Sequence, residues 1–203
     1  MPNLHNNRRR VENICMLHWG YAWKGHYFVT VNTNSRIPYF GEIQDAQMHL
    51  SDIGKILDRE WLASPGIRPD MNIQLGEFVI MPNHFHGIIS IGWNRYNGFD
   101  DTDHDNLDIG THCNASPQQE SPPQQSMTRQ NKFGPQSKNL AAIIRGLKGS
   151  VTKQARQINP DFAWQSRFHD HVIRNQKAYD NVSRYIRNNP IEWWNKKANR
   201  FNE

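Results

Sequence analysis

Two β-rich runs, Ile73 to Ile80 and His84 to Ile91, stand three residues apart, separated by Met81, Pro82 and Asn83. Proline presets φ and asparagine tolerates the left-handed region, so this spacing predicts a tight turn and an antiparallel hairpin. The hairpin also assigns every side chain of its second strand to a face. Alternation puts His84, His86, Ile88 and Ser90 on one side and Phe85, Ile89 and Ile91 on the other. Phe85 then points into the core, and both imidazoles look the opposite way.

Elements on either side extend the pattern. Gly25 to Val31, with Tyr27, Val29 and Val31 alternating against smaller or polar neighbours, reads as a strand, and Asn32 to Gly41 as a turn-rich connection. From about Asp45 to Ala63, Met48, Ile53, Ile56, Leu57 and Leu62 suggest the buried stripe of a helix closed by Pro65 and Gly66, with Gly54 as its weak point. Leu140, Ile144, Leu147, Val151, Ala155 and Ile158 recur at steps of 4, 3, 4, 4 and 3, an amphipathic helix. A strand is expected within Trp164 to Arg174, followed by a helix from about Gln176 that Pro190 ends. The first six elements make a βαββαβ order, which predicts an α+β, ferredoxin-like antiparallel sheet with helices on one face, an extra C-terminal helix, and one face open to a ligand.

A chain of 203 residues suits one domain. Between 93 and 138, Asp, Asn, Gln, Ser and Pro dominate, which predicts a disordered insertion within that domain. No apolar run approaches the roughly 18 residues of a membrane span, and the first 20 residues, with Arg8, Arg9 and Arg10, lack the apolar stretch of a signal peptide, so a cytoplasmic protein is expected. Cys15 and Cys113 lie far apart, which offers neither a disulfide framework nor a CxxC metal site. The net charge of +5 is unevenly spread: residues 129–203 carry 15 Lys and Arg against 5 Asp and Glu. A field so concentrated suits a polyanion.

His84 and His86, at i and i+2 on a strand, can hold one divalent ion, although such a pair alone is weakly specific. His169 and His171 form a second pair with the same spacing, flanked by Arg167 and Arg174, which would repel a cation and suit phosphate. Arg145, Lys148 and Arg156 make a cationic stripe on the wet side of their helix, and Arg187 adds to the same basic segment. In the last helix Ala178, Val182 and Ile186 give a packing stripe with Tyr185 beside it, and Asn189 lies four residues further on, on Tyr185's face if the helix reaches it.

The run Glu77-Phe78-Val79-Ile80-Met81-Pro82-Asn83-His84-Phe85-His86-Gly87-Ile88-Ile89 resembles the His-hydrophobic-His ("HUH") signature of single-tyrosine transposases. Tyr185-Ile186-Arg187-Asn188-Asn189-Pro190 resembles the tyrosine helix of the branch associated with repetitive extragenic palindromes. Gly25 to Thr30, Phe40 to Ile43 and Trp164 to Arg174 support the match, which covers most of the chain outside 93–138. The resemblance implies a ferredoxin-like fold, His84, His86 and Asn189 as ligands of Mg²⁺ or Mn²⁺, and Tyr185 as nucleophile. It further implies cleavage and rejoining of single-stranded, hairpin-forming DNA through a 5′-phosphotyrosine, with Arg145, Lys148, Arg156, Arg167, Arg174 and Arg187 on the DNA, and a nucleoid-associated monomer or homodimer. The acidic insertion departs from the family's pattern, as does Asn189 where several relatives carry the longer Gln. Three alternatives stay open: an RNA-recognition-like module without catalysis, a nuclease that uses metal and water, and a replication initiator or relaxase of the wider HUH group. The usual lysine near an initiator's tyrosine is replaced here by Arg187 and Asn188.

Overall fold

The computed structural model describes residues 24–97 and 138–200. In chain order the elements are β1 (Gly25–Asn32), β2 (Gly41–Gln44), β3 (Gln47–Leu50), α1 (Asp52–Ile67), β4 (Ile73–Met81), β5 (His84–Ile91), α2 (Leu140–Ile158), β6 (His169–Ile173) and α3 (Gln176–Arg200). The hairpin forms as its turn residues require, with Met81 opposite His84 and Val79 opposite His86. β1 docks antiparallel on β5 and β6 antiparallel on β1, giving the sheet order β4-β5-β1-β6. Setting aside β2 and β3, the four sheet strands and the two helices that follow the first and third of them make an α+β, ferredoxin-like fold. Among the described residues no helix is long and apolar enough to cross a membrane.

One sheet face, carrying Tyr27, Val29, Val31, Phe85, Ile89 and Ile91, buries against Ile53, Leu57 and Trp61 of α1 and Leu140, Ile144, Leu147 and Val151 of α2. This is the period-2 strand pattern meeting the 3.6-period helix pattern, and it forms the main core. The other face is not open along its length. Ile88 and Ile173, with Phe28 and Val79 beside them, pack beneath Ala178, Tyr179, Val182 and Ile186 of α3. The helix therefore lies across the face expected to be free, and it covers the row that contains His86.

Local chemistry redrew several boundaries. The connection after β1 contains the short hairpin β2–β3, so Met48 sits in a strand and α1 begins only at Asp52. Ser51 caps it, its hydroxyl accepting from the Gly54 amide at 3.1 Å. Gly54 is required there, because a Cβ would lie 2.3 Å from the Phe40 carbonyl oxygen. Ile53 and Leu57 are buried as expected, but the stripe continues to Trp61, fully buried, and leaves Leu62 exposed. Ile158, counted in the stripe of α2, is exposed at the frayed end of its helix.

Neither proline ends its helix. Pro65 lies in the last turn of α1, and α3 continues through Pro190 to Arg200. Proline inside a helix removes one hydrogen bond and crowds the preceding turn, a local cost that packing on the sheet outweighs. At the acidic segment, order persists further than expected. Tyr96 donates to Asp70 at 2.6 Å, Lys138 reaches the same carboxylate at 2.5 Å, and Asn94 and Asn97 bond the Gly92 carbonyl. Residues 98–137 lie outside the described residues, as do Cys15, Cys113 and Arg8 to Arg10.

Candidate active site

His84 and His86 are each only 6% exposed, with ring centroids 4.7 Å apart, on the sheet face turned toward α3. Burial, followed for His84 by the neighbouring His86 and for both by the charge of Arg36, pushes His84 down to about 3 and His86 to about 4. Both rings are therefore neutral near pH 7, with lone pairs free to act. Their tautomers are largely set by neighbours. The Asn83 amide nitrogen donates to the Arg36 carbonyl at 2.9 Å, which turns its oxygen toward His84 Nδ1 at 2.8 Å. That nitrogen must carry the proton, so His84 Nε2 keeps its lone pair. Thr30 Oγ1 engages His86 Nδ1 at 2.8 Å and leaves Nε2 facing α3. Orienting partners of this kind accompany metal-binding histidines.

α3 brings its own residues over the pair. The Tyr185 hydroxyl lies 3.4 Å from His86 Nε2, and its ring meets His86 at 5.4 Å and Phe28 at 6.1 Å, both edge-on. Trp193, two turns further, packs 5.7 Å from His84. Asn189 lies midway between them on the same helical face and is 7% exposed. Because α3 does not stop at Pro190, Trp193 reaches His84 from beyond the proline while Tyr185 reaches His86 from before it. Tyr185 itself is 42% exposed, accessible to a large substrate while its hydroxyl stays at the site.

The donor set fits a divalent cation. Two neutral imidazoles present Nε2, and Asn189, itself 7% exposed, follows Tyr185 by four residues on the same helix. The buried side-chain oxygen of Asn32, the β1 residue paired with His84 of β5, has no hydrogen-bond partner among the described residues. Such an orphan costs free energy unless something absent here, an ion or its water, engages it. Among the described residues no cluster of three or more His, Cys, Asp or Glu could hold a metal, so the set carries no negative charge.

The second pair, His169 and His171, lies on the same face, opposite Thr30 and Phe28 across β1, and both rings are exposed. Flanking arginines do not separate the two pairs, since Arg36 acts on His84 and His86 just as Arg167 and Arg174 flank the other. Burial and the ring-orienting contacts of Asn83 and Thr30 separate them. Thr30, Asn32, Arg36, Asn83 and Trp193 were missed from sequence. Each reaches the site through a cross-strand register, a turn or a helix continuation that spacing alone does not reveal.

The expected DNA-contacting cations fall into two groups. Arg145 and Arg167 line, with Ile144, Phe168 and Asp170, a cleft of about 520 Å³ between α2 and β6, and Arg174 is exposed just beyond that strand. Lys148 lines the same cleft, but its ammonium donates to the Gln165 carbonyl at 2.6 Å, and burial lowers its pKa. Arg156 bonds the Phe162 carbonyl at 3.1 Å, and Arg187 pairs with Glu77 at 2.9 Å. Each of these three thus makes a contact within the fold, and Arg156 and Arg187 remain exposed. Arg187 borders a second cleft, of about 760 Å³, beside Tyr179, Ser183 and Arg184.

Fold and site together define a ferredoxin-like α+β protein in which a buried histidine pair on the sheet faces a tyrosine on the last helix. The chain belongs to the same family as an uncharacterized protein of Haemophilus influenzae, 33% identical over 191 residues that span 94% of this chain and 91% of that one. No family model matches. Among solved structures, a REP-associated tyrosine transposase bound to a REP hairpin is similar at 19% identity and a TM-score of 0.46, over 86% of this chain and 71% of that chain. A Deinococcus radiodurans protein assigned as a transposase is similar at 13% identity and a TM-score of 0.37, over 84% of this chain and 94% of that chain.

Proposed function

We propose that this protein cleaves and rejoins single-stranded DNA, Tyr185 acting as nucleophile beside a divalent ion held by His84, His86 and Asn189. The observation that carries this reading is the 3.4 Å approach of the Tyr185 hydroxyl to His86 Nε2. It joins residues 99 apart in sequence, with Asn189 and Trp193 aligned on the same helical face. Mg²⁺ or Mn²⁺ at those ligands would neutralise charge on the phosphodiester and make its phosphorus attackable. Tyr185 then forms the new phosphorus–oxygen bond as the bond to the 3′-oxygen breaks. The phenolic proton is lost to solvent, and the leaving oxygen departs as a 3′-hydroxyl. Because the phosphotyrosine conserves the bond, a second 3′-hydroxyl reverses the step, and joining needs no nucleotide cofactor.

The sheet and helix position these groups. Asn83 fixes the tautomer of His84, Thr30 holds the orientation of the His86 ring, Phe28 stacks against His86 at 5.3 Å, and Trp193 closes the side of His84. A sheet that reads stacked bases with exposed aromatics needs an open face, and α3 covers this one, which counts against a binding module without catalysis. Hairpin-bearing DNA is the substrate class proposed, by likeness to the hairpin-bound transposase. The test is incubation of hairpin-bearing single strands with Mg²⁺ or Mn²⁺, resolved on a denaturing gel. A protein-linked 5′ product is expected. Cleavage without a linked product would point to water as nucleophile, and binding without cleavage to a recognition module.

A further inference from the structure

β1 runs beside the histidine strand in a fixed register, with Thr30 paired to His86 and Asn32 to His84. Paired positions of antiparallel neighbours share a sheet face, and their Cβ atoms lie about 5 Å apart. Tyr27, Val29 and Val31 of β1 enter the main core, so Thr30 and Asn32 stand with the histidines on the side turned toward α3. In this block of four, Thr30 Oγ1 engages His86 Nδ1 at 2.8 Å, and His84 Nδ1 meets the Asn83 oxygen at 2.8 Å. The backbone of Asn32 is also tied down, its carbonyl accepting from the Gln165 amide at 2.9 Å. Its side chain is the exception. Asn32 is 2% exposed, and its Oδ1 has no hydrogen-bond partner among the described residues.

Folding alone gives no reason for an amide at this position. A buried acceptor without a donor has lost its water and gained nothing, and strands disfavour asparagine. Two other buried side-chain atoms lack a partner among the described residues, Trp61 Nε1 in the main core and Ser183 Oγ beside the cleft of Tyr179 and Arg184. Of the three, only Asn32 is cross-strand neighbour to a residue of the candidate site. We propose that Asn32 is a positioning residue for the divalent ion, its Oδ1 accepting a hydrogen bond from a water that the ion carries. The inference rests on the metal-dependent reading above. Mg²⁺ and ions like it dehydrate reluctantly and keep several waters when the protein supplies few ligands. A water polarised by a cation is a strong donor, and a neutral amide oxygen accepts it without adding charge to the ligand set.

The test is titration of Mn²⁺, without DNA, into the wild-type protein, Asn32→Leu, Asn32→Val and His84→Gln/His86→Gln. Free Mn²⁺ is read by its electron paramagnetic resonance signal, and melting temperatures are taken without metal. Leucine copies the outline of the amide and valine is smaller and suited to a strand, so the two bracket the available space. Loss of the oxygen weakens Mn²⁺ binding about 10- to 100-fold, the size of an outer-shell contact. In at least one of the two variants the metal-free melting temperature stays level or rises by about 2–5 °C, because an unsatisfied buried group has gone. These opposite signs distinguish a residue that serves the ion from one that braces the strand, whose loss would lower both quantities. Unchanged Mn²⁺ affinity in a variant that melts at or above the wild type, or a lower metal-free melting temperature in both variants, overturns the assignment of Asn32. If the wild type binds no Mn²⁺, or His84→Gln/His86→Gln binds it equally well, the metal-dependent reading fails, and this inference with it.

Discussion

At the scale of single residues, the account turns on groups whose chemistry is set by what lies beside them. His84 and His86 carry folded pKa values of about 3 and about 4, against an ordinary 6.5. Below pH 6.5 the unfolded chain takes up protons on these imidazoles while the folded chain does not. Stability of the metal-free protein therefore falls as pH drops from about 6.5 toward 4, and levels off below both folded values. Each imidazole contributes a slope of about 1.4 kcal/mol per pH unit inside that window. Melting temperature against pH checks this: His84→Gln/His86→Gln should flatten the slope, and an unchanged slope would place the acid sensitivity elsewhere. Much at this scale was legible beforehand. The faces of His84 and Phe85 followed from period-2 alternation, and Tyr185 and Asn189 from helical spacing. Asn83 passed as a turn residue because its second role, fixing the His84 tautomer while holding the Arg36 carbonyl, exists only once the loop after β1 folds over the hairpin.

At the scale of elements, the informative departure is α3. Pro190 argues for a stop, yet the helix runs on and sets Trp193 against His84. Local propensity was read correctly and overruled by contacts the sequence does not display. Trp193→Ala should lower stability by about 1–3 kcal/mol through lost aromatic packing and also weaken Mn²⁺ binding, as His84 loses its wall. Calorimetry and metal titration together test this, and a variant with unaltered metal affinity would show that the helix beyond Pro190 only supports the fold. The basic elements divide in the same way. Arg167→Ala should leave melting unchanged and reduce the salt dependence of DNA binding by about one unit of slope, whereas Lys148→Ala should mainly destabilise, because its ammonium caps the Gln165 carbonyl. Equal salt slopes for the two variants would return Lys148 to the DNA surface. The helix stripe of α2 was readable because its period is long and regular. The β2–β3 hairpin was not, since four-residue strands rich in polar side chains leave almost no periodic signal.

At the scale of the whole molecule, the proposed chemistry divides by element: the sheet would supply neutral ligands and the last helix the nucleophile. A ligand set without a carboxylate should bind a divalent ion weakly until a phosphate brings negative charge. Metal and DNA should therefore tighten each other by the same factor, as linkage requires. Titrating Mn²⁺ with and without uncut DNA on Tyr185→Phe measures it, and equal affinities would contradict the arrangement. The central claim, that Tyr185 becomes covalently joined to a 5′-phosphate, has a more direct test. Wild-type protein and Tyr185→Phe are incubated with 3′-labelled, hairpin-bearing single strands and Mn²⁺, and any labelled protein is digested and mapped. The account predicts a DNA-linked peptide containing Tyr185 in the wild type and neither cleavage nor adduct in the variant, whose folding is preserved because the ring is kept and only a hydroxyl with a long 3.4 Å contact is lost. An adduct at another residue such as Tyr179, or cleavage that persists in Tyr185→Phe, would contradict it.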